Sequence, residues 1–423
     1  SSLEASHQKS TSIVMSEIVP SEAELLAVIT SIKQAEPDLG IKKVLAAVNA
    51  QQPTWTVSEK RVKKLMQSLG LVQSTHLVKS GIEDDPSVPV SFIDPKLDLK
   101  ATSAAIEARM VDRITGKGLF AARDLKKDEV VFEETPFVFF PVWDLYNESR
   151  IGNVCSLCTK PFKKVSHTVL SVRCQHCDVS YCSAGCRKIA WDSFHKLECT
   201  HLNTAMKDYI NLCSTESWAA AMAVMRIYCH LILANERGDL DAVLAHYDAF
   251  ATVNQSERQA KETAWIFMEH TTRELWDKAR KFLSKALNPP PKKCKITQPL
   301  PEALAKKLFD DEDTFLEYLG KYNINNQNGG LYLVQSHINH ECHPNVCIEH
   351  PIRLSDYKIS VRAIRDIKKG EQLFETYVNP RWNKETRVNY LSTNYMFQCN
   401  CKRCKNDEPV SEELRQGLRL RPE

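Results

Sequence analysis

The sequence predicts an α+β protein, because helical and strand-forming patterns occur in separate blocks along the chain. Helical patterns occupy residues 21–72 and 200–320, whereas short strand patterns begin after residue 103 and return between residues 330 and 377. A cysteine-rich stretch, residues 155–199, lies between the first strand block and the second helical block. Blocks of strands and helices that do not alternate one by one are typical of α+β folds.

The composition is that of an ordinary globular protein. Hydrophobic residues make up 43% of the 423 residues and charged residues 26%, which excludes wholesale disorder and leaves room for two or three domains. The formal net charge of +3 is too small to indicate a nucleic-acid partner by itself. No apolar run is long enough to cross a bilayer, so we expect no membrane partner.

The 15 cysteines are grouped rather than scattered. Seven lie between Cys155 and Cys199, and three more lie between Cys399 and Cys404. Clusters of this kind, in a chain of this size, indicate metal sites rather than disulfides. We therefore expect a reducing compartment: the nucleus, the cytoplasm or both.

The N-terminal region predicts a small helical domain behind a loose tail. Residues 1–20 are polar and rich in serine, and we expect them to be disordered. Ser21 and Glu24 have the form of a capping box and open the first of three helical patterns, which are separated by prolines and glycine. Residues 21–72 are therefore predicted to form a three-helix domain.

The third helical pattern carries four basic residues: Lys60, Arg61, Lys63 and Lys64. One interpretation is a weak nucleic-acid contact by residues 56–72, in the manner of a winged-helix reader. The other is the solvated face of a docking domain. We favour the second, because the net charge of the chain is close to zero and no arginine-rich arm follows.

The rest of the chain divides by composition. Residues 73–103 contain glycine, several prolines and an Asp-Asp-Pro run, and predict a linker. Strand patterns follow residue 103 and return at residues 330–377, and a strongly helical block at residues 200–320 lies between them. Residues 405–423 are highly charged, and we expect a frayed tail.

The cysteine-rich stretch offers eight metal ligands at zinc-binding spacing: Cys155-x-x-Cys158, Cys174-x-x-Cys177, Cys182-x-x-x-Cys186 and His195-x-x-x-Cys199. A Cys-x-x-Cys pair places two thiolates on one tight turn, and a second pair completes a tetrahedron. Eight ligands suffice for two zinc ions, on which a segment this small and poor in large apolar residues depends for its folding energy. Free thiols that cluster by chance are the alternative, and the repeated spacing argues against it.

This stretch resembles the MYND zinc finger, including Tyr181 directly before Cys182. The resemblance implies interleaved sites, one formed by Cys155, Cys158, Cys182 and Cys186 and the other by Cys174, Cys177, His195 and Cys199. MYND fingers bind peptides that are often rich in proline. A Pro-rich peptide is therefore an implied partner, although the spacing itself does not indicate one.

Four further stretches carry residue types that suit a catalytic site: Gly116-Lys117-Gly118-Leu119, Ser336-His-Ile-Asn339-His340-Glu-Cys342, Gly370-Glu-Gln-Leu-Phe-Glu-Thr-Tyr377 and Tyr395-x-Phe397-x-Cys399-x-Cys401-x-x-Cys404. Each has an ordinary interpretation when it stands alone. A Gly-x-Gly is a common tight turn, a single histidine is usually structural, and a single tyrosine usually belongs to a core. The order of the four stretches along the chain is what indicates a function.

In this order the stretches resemble the SET domain of protein lysine methyltransferases. With the MYND insertion they resemble the SET and MYND (SMYD) family, over about residues 104–404. The run Gly-Gly-Leu-Tyr-Leu-Val-Gln-Ser before Asn339 is similar to the fungal-type subclass that lacks a C-terminal helical repeat domain. Glu341 and Gln372 stand where the family has serine and glutamate, and we assign neither to the chemistry.

The resemblance implies that residues 104–378 form one SET domain with a β fold, split by the MYND finger (155–199) and the helical insertion (200–322). A post-SET zinc segment (379–404) follows it. The resemblance also implies S-adenosylmethionine as the cofactor, bound by Lys117, Gly118, Leu119, Ser336, Asn339, His340, Tyr377 and Phe397. Tyr377, Tyr395 and Phe397 would line a narrow lysine channel, and Tyr377 would be the catalytic residue. Such a channel favours the neutral amine that the reaction needs, because desolvation lowers the pKa of lysine.

A third zinc site is implied in the post-SET segment. Cys399, Cys401 and Cys404 need a fourth ligand, and Cys342 in the Asn-His-x-Cys stretch supplies it. The predicted cofactors are thus S-adenosylmethionine and three zinc ions. The remaining cysteines are interpreted as ordinary buried thiols: Cys213, Cys229, Cys294 and Cys347.

The predicted function is that of an S-adenosylmethionine-dependent protein-lysine N-methyltransferase, with a lysine on a histone tail as the acceptor. The alternative acceptor is a lysine of a ribosomal or translation protein, and the sequence does not choose between the two. A third interpretation is a binding scaffold with an inert SET fold, against which the intact Asn339, His340 and Tyr377 argue.

Overall fold

The computed structural model of the chain describes residues 18–36, 39–68, 90–112, 115–256, 272–289, 299–350 and 356–421. The described residues fall into two compact units. The smaller unit contains the three N-terminal helices, and the larger contains residues 90–111 together with the described residues from 115 onwards.

The smaller unit is a three-helix bundle of α1 (Glu22–Ala35), α2 (Ile41–Gln51) and α3 (Glu59–Ser68). Helix α1 begins with the predicted capping box, in which Ser21 accepts a hydrogen bond from the amide of Glu24 and the Glu24 carboxylate accepts one from the amide of Ser21. The apolar faces of the helices form one core: Leu25, Ile29, Ile32, Val44, Val48, Val62, Leu65 and Met66.

The basic residues of α3 partly serve this unit itself. Arg61 donates a 2.7 Å hydrogen bond to the carbonyl of Pro20, and Lys64 lies 3.4 Å from the Glu22 carboxylate. Lys60 is exposed. Two of the four basic side chains therefore stabilise the bundle rather than forming a free cationic face.

The larger unit contains 13 short strands within its described residues: β1 (Ile106–Asp112), β2 (Gly116–Ala121), β3 (Val130–Glu134), β4 (Val138–Phe139), β5 (Lys163–Val165), β6 (Thr168–Leu170), β7 (Val172–Arg173), β8 (Ser180–Tyr181), β9 (Gly330–Leu331), β10 (Asn339–His340), β11 (Val346–Glu349), β12 (Ile359–Ala363) and β13 (Phe374–Glu375). They pair in small sheets. β12 lies between β11 and β3 in an antiparallel sheet of three, and β10 runs parallel to β13.

The described residues of the larger unit also form α-helices before, between and after the strand blocks: Leu99–Thr102, Trp143–Arg150, Ala184–Ala190, Lys196–Glu198, Met206–Thr215, Ala219–Arg237, Leu240–Asp248, Arg273–Leu287, Glu302–Ala305, Glu312–Asn325, Lys384–Tyr395, Lys402–Asn406 and Glu412–Gly417. The long helix Ala219–Arg237 is buried along most of its length, because other helices and the cysteine-rich stretch pack around it in one apolar core. A second core lies between the strands around Leu119, Val361 and Leu373.

The described part of the predicted linker, residues 90–103, is packed rather than loose. Val90 forms a β-bridge with Thr252, and the buried Asp94 carboxylate bonds to the ring of His246. Ser91 packs against Gly116, and Leu99–Thr102 forms a short helix. The linker prediction is therefore wrong here, because partners distant in sequence satisfy its polar groups. Residues 73–89 lie outside the described residues, as do residues 1–17.

The charged end of the chain is also ordered, in contrast to the frayed tail predicted for residues 405–423. Helix Glu412–Gly417 begins at Ser411, whose hydroxyl accepts from the amide of Leu414. Leu414 is 1% exposed, and the buried Arg362 donates a 3.0 Å hydrogen bond to the carbonyl of Gly417. Apolar packing and this guanidinium contact hold the segment against the larger unit. Residues 422–423 lie outside the described part.

Two of the four cysteines interpreted as buried thiols, Cys213 and Cys229, are fully buried, whereas Cys347 is only half-buried. Cys294 lies outside the described residues. Among the described helices, none has both the length and the apolar character needed to cross a membrane.

Candidate active site and metal centres

Three stretches that are distant in sequence meet at β10. The side-chain amide of Asn339 donates a 2.8 Å hydrogen bond to the main-chain carbonyl of Lys117. Next to it, Nδ1 of His340 accepts a 3.0 Å hydrogen bond from the amide of Tyr377. The parallel pairing of β10 with β13 sets Asn339 opposite Phe374 and so aligns the second stretch with the third.

The glycines of the first stretch permit close packing. Gly116 has a φ of +73°, which favours glycine, and a Cβ atom at Gly118 would lie 2.7 Å from Cγ2 of Val111 and 2.8 Å from Nε2 of Gln372. Leu119 is fully buried in the strand core. The first stretch therefore presents its main chain at the site, while Leu119 anchors it from behind.

The side chain of Lys117 has a role that the sequence did not indicate. Only 3% of the residue is exposed, and its ammonium donates hydrogen bonds to the carbonyl of Ala249 (2.9 Å) and to the hydroxyl of Ser336 (3.2 Å). Burial lowers the pKa of Lys117 to about 7. Lys117 thus ties the first stretch to the helical insertion and to Ser336.

Aromatic rings close one side of the site. The ring centroids of Tyr377 and Tyr395 are 4.7 Å apart, and Phe397 lies 6.0 Å from His340 and 6.5 Å from Tyr395. The hydroxyl of Tyr377 donates a 2.7 Å hydrogen bond to the carbonyl of Ile338. Burial raises the pKa of Tyr377 well above its ordinary value, so the hydroxyl stays protonated and remains a donor.

His340 connects this site to the third cysteine group. Burial lowers the pKa of His340 to about 4, so the ring is neutral at physiological pH. Because Nδ1 accepts from Tyr377, the ring proton is on Nε2, which lies 3.3 Å from Sγ of Cys342. The Tyr377 amide therefore fixes the tautomer of His340, and the Cys342 sulfur helps to orient the ring.

Several buried polar residues that support the site were missed by the sequence analysis. Asn345 accepts from the amide of Phe374 (2.7 Å) and donates to the carbonyl of Gln372 (2.8 Å), which holds β13 in place. The signal for Asn345 was its position in the Pro-Asn pair that follows Asn339 and His340.

Two buried carboxyl groups, Glu134 and Glu375, had no sequence signal. Glu134 accepts hydrogen bonds from the amides of Val334 (2.8 Å) and Gln335 (3.0 Å), where the chain turns towards Asn339. The side-chain amide of Gln335 donates to Glu375, and burial raises the pKa of Glu375 to about 8. Together these groups fix the backbone beneath the site.

The twelve predicted zinc ligands form three groups in space: Cys155, Cys158, Cys182 and Cys186; Cys174, Cys177, His195 and Cys199; and Cys342, Cys399, Cys401 and Cys404. Within each group the ligand atoms all lie within 4.8 Å of one another. The grouping is the interleaved one that the resemblance implied. Thiolate and imidazole ligands in sets of four suit a tetrahedral zinc ion.

The second group has an outer support that suits a metal. Nε2 of His195 faces Sγ of Cys177 at 3.4 Å, while Nδ1 lies 3.4 Å from the carboxylate of Glu198. Glu198 in turn pairs with Arg226 of the long helix at 3.0 Å, and both side chains are buried. A carboxylate that accepts a hydrogen bond from the ring nitrogen not bound to the metal commonly orients a metal-binding histidine. Neither Glu198 nor Arg226 was predicted.

The third group lies between two buried arginines. Arg387, 1% exposed, points a guanidinium nitrogen at Sγ of Cys404 (3.7 Å), and Arg403, 2% exposed, donates to the carbonyl of Cys342 (3.1 Å). Neither pairs with a carboxylate among the described residues. A buried cation without a counter-charge is costly, and four thiolates exceed the charge of one zinc ion by two. The arginines therefore balance a zinc-loaded group, which supports the fit of the site to zinc.

Comparisons with known proteins show the family of the chain. The family model described as SET domain matches residues 116–378. A protein named histone-lysine N-methyltransferase SET5 from Yarrowia lipolytica is 33% identical over 406 residues, which cover 92% of this chain and 83% of the relative. A protein of the same name from Scheffersomyces stipitis is 30% identical over 423 residues, or 93% of this chain and 82% of the relative.

The crystal structure of the SET domain of LSMT bound to lysine and AdoHcy matches with a TM-score of 0.34 and 14% identity. The match covers 72% of this chain and 54% of that chain.

Proposed function

Because the chain belongs to the SET-domain family of protein-lysine methyltransferases, we propose that it transfers a methyl group from S-adenosylmethionine to a lysine of a histone. The relatives named histone-lysine N-methyltransferase match more than nine-tenths of its length, at 92% and 93%. A histone acceptor also implies that the protein acts in the nucleus.

The observation that carries the proposal is the pair of hydrogen bonds made by consecutive residues of β10. Asn339 binds the Lys117 carbonyl, and His340 binds the amide of Tyr377. These contacts bring the predicted cofactor residues next to the predicted catalytic hydroxyl. A scaffold without activity has no need for this convergence of polar groups from three distant stretches.

S-adenosylmethionine, when bound, supplies the electrophilic methyl group. Asn339, His340 and the main chain around Gly118 are the groups of this chain that would hold it. The Tyr377 hydroxyl, kept protonated by burial, donates to the Ile338 carbonyl, which leaves its oxygen able to accept a hydrogen bond from the acceptor amine. A preorganised oxygen dipole of this kind stabilises the positive charge that develops on the amine nitrogen. Tyr395 and Phe397 form an apolar wall that favours the neutral amine of the acceptor lysine and orients it.

We further propose three bound zinc ions and a MYND-type module, residues 155–199, within a SMYD-type SET domain. The support is chemical: three four-ligand groups of thiolate and imidazole, a carboxylate behind His195, and two arginines beside Cys404 and Cys342. In this proposal the module binds a Pro-rich peptide on its outer surface, as its resemblance implies.

For the N-terminal unit, a docking role has more support than nucleic-acid binding. Arg61 and Lys64 bond within their own helical bundle, to Pro20 and Glu22, and so offer less charge to a phosphate backbone. Lys60 is exposed. We therefore propose that residues 56–68 belong to a surface that docks a protein partner; the rest of the predicted segment, residues 69–72, lies outside the described residues.

Incubation of the purified chain with labelled S-adenosylmethionine and core histones tests the main proposal. We expect label on histone lysines, mapped by mass spectrometry, and a rate of labelling roughly a hundredfold lower with the Tyr377→Phe variant. Cofactor binding is measured separately by calorimetry. Tight cofactor binding with no label on histones, but with label on another protein fraction, would reject the histone acceptor and keep the enzyme class. Neither binding nor transfer would reject both.

A further inference from the structure

A cleft of about 720 Å³ opens next to the predicted lysine channel. Tyr395 lies in its wall, and the same ring is 4.7 Å from Tyr377. The other walls come from the start of the long helix, the end of helix Glu312–Asn325 and the loop that follows it. The Tyr395 ring thus lies between the cleft and the predicted catalytic tyrosine.

The lining has an unusual chemistry for a protein that acts on histones. Aromatic side chains form much of its wall: Phe140, Trp143, Trp218, Tyr322, Tyr390 and Tyr395. Its polar groups are mostly carboxamides: Gln255, Asn323, Asn326, Gln327, Asn328 and Asn394. Within the described part of the chain, no lysine, arginine, aspartate or glutamate lines the cleft.

Hydrogen bonds orient several of these carboxamides. The side-chain amide of Asn323 donates to Gln255 at 3.0 Å, and that of Asn326 donates to the carbonyl of Tyr322 at 3.1 Å. Side-chain carboxamides combine donor and acceptor atoms, as a peptide main chain does, so an ordered set of them suits an extended segment. Aromatic rings between them suit apolar side chains.

Resting on the proposed function, we propose that this cleft holds the acceptor segment beside the target lysine and selects lysines whose neighbours are uncharged. A flanking arginine or lysine that entered the cleft would lose hydration without gaining an acidic partner. Small polar and apolar residues next to the target lysine lose little hydration on entering the cleft, and they gain contacts with its carboxamides and aromatic rings. Within a basic histone, only lysines in uncharged surroundings meet this condition.

The acceptor preference is measured with a peptide library that has one central lysine and varied flanking residues, excluding further lysines. We expect methylated peptides to be depleted of arginine next to the lysine and enriched in small or apolar residues. Core histones, tested in parallel, should be methylated at lysines with uncharged neighbours. Enrichment of arginine next to the methylated lysine would overturn the cleft proposal. So would methylation of histones with no methylation of the peptide library. No label in either arm would reject the proposed function and the cleft proposal with it.

A single substitution tests the cleft by gain of function. Asn328 is exposed in the lining and has a φ of +48°, a conformation that asparagine and aspartate both tolerate. Asn328→Asp therefore adds one negative charge without a change of shape. We expect kcat/KM for an arginine-flanked peptide, relative to an uncharged one, to rise roughly fivefold at low salt and less at high salt.

Asn211→Asp is the matched control, because Asn211 is exposed on helix Met206–Thr215, outside the cleft lining. It makes the same chemical change and should leave the ratio of the two peptides unchanged. An equal change of the kcat/KM ratio in both variants would mean that the overall charge of the protein, not the cleft, determines the preference between the two peptides. No response of either variant, with both peptides methylated, would place the acceptor segment elsewhere.

Discussion

Asn339 and Lys117 are joined by a 2.8 Å hydrogen bond although 222 positions separate them in sequence. The cysteine-rich stretch and the helical insertion both lie between the two residues. The inserted segments must therefore leave from and return to the strand core without disturbing this contact. The buried pair of Glu198 and Arg226, which links the cysteine-rich stretch to the long helix, contributes to that constraint.

Tyr377→Phe should fold normally and bind S-adenosylmethionine, but lose most of its turnover. The change removes one hydroxyl, and with it the 2.7 Å bond to the Ile338 carbonyl. Loss of one preorganised hydrogen-bonding group in an active site typically costs about 3 kcal/mol, or roughly a hundredfold in rate. Single-turnover methyl transfer and calorimetric cofactor binding are the measurements. Near wild-type turnover at saturating substrate would remove Tyr377 from the catalytic role.

We expect three zinc ions per chain, because the twelve ligand side chains form three groups of four. Elemental analysis of the purified protein gives the stoichiometry. A Cys404→Ser variant should lower it by one, which identifies the post-SET group. A wild-type value of two would mean that one group holds no metal.

Arg387→Met should weaken zinc binding at the post-SET group by about 10–100-fold, the usual effect of losing an outer partner of a metal site. The methionine fills the space but leaves the thiolates without one of their two counter-charges. Zinc transfer to a chromophoric chelator measures the effect. Arg123→Met, at an exposed arginine paired with Glu129, is the control and should behave like the wild type. Unchanged zinc transfer in a folded Arg387→Met variant would contradict the charge balance.

Glu375→Gln should change the pH dependence of stability. Burial raises the pKa of Glu375 from 4.5 to about 8, so the folded state holds a proton that the unfolded state releases between these values. The wild type therefore loses up to about 1.4 kcal/mol of unfolding free energy per pH unit in this window. Glutamine is always neutral and still accepts from Gln335. Urea unfolding at several pH values should show the unfolding free energy of the variant rising relative to that of the wild type as pH increases. A difference between the two free energies that does not change with pH would refute the raised pKa of Glu375.

Lys188→Glu and Cys342→Ala should have opposite consequences for methyl transfer. The Lys188 side chain is 77% exposed on the cysteine-rich stretch, so its reversal should leave turnover of a short peptide almost unchanged. Cys342 contacts Nε2 of His340 at 3.3 Å and belongs to the post-SET group, so its loss should abolish activity. Peptide turnover and calorimetric cofactor affinity are compared. Equal impairment would mean that the cysteine-rich stretch is part of the catalytic site.

The sequence by itself determined what depends on local order. Ligand spacing such as Cys155-x-x-Cys158 follows from the geometry of a tight turn around a metal, and helical periodicity follows from one apolar face. The order of the four catalytic stretches pointed to Asn339, His340 and Tyr377, which the structure brings together. These signals are readable because each is carried by residues close in sequence.

Only the tertiary structure decided which buried charges meet. Nothing local marks Arg226 as the partner of Glu198, or Arg387 as a neighbour of Cys404, and Lys117 gave no sign that its ammonium would be buried. The packed linker and the ordered C-terminal helix were missed for the same reason. A buried polar group must find a partner, and the fold, not the neighbouring sequence, chooses that partner.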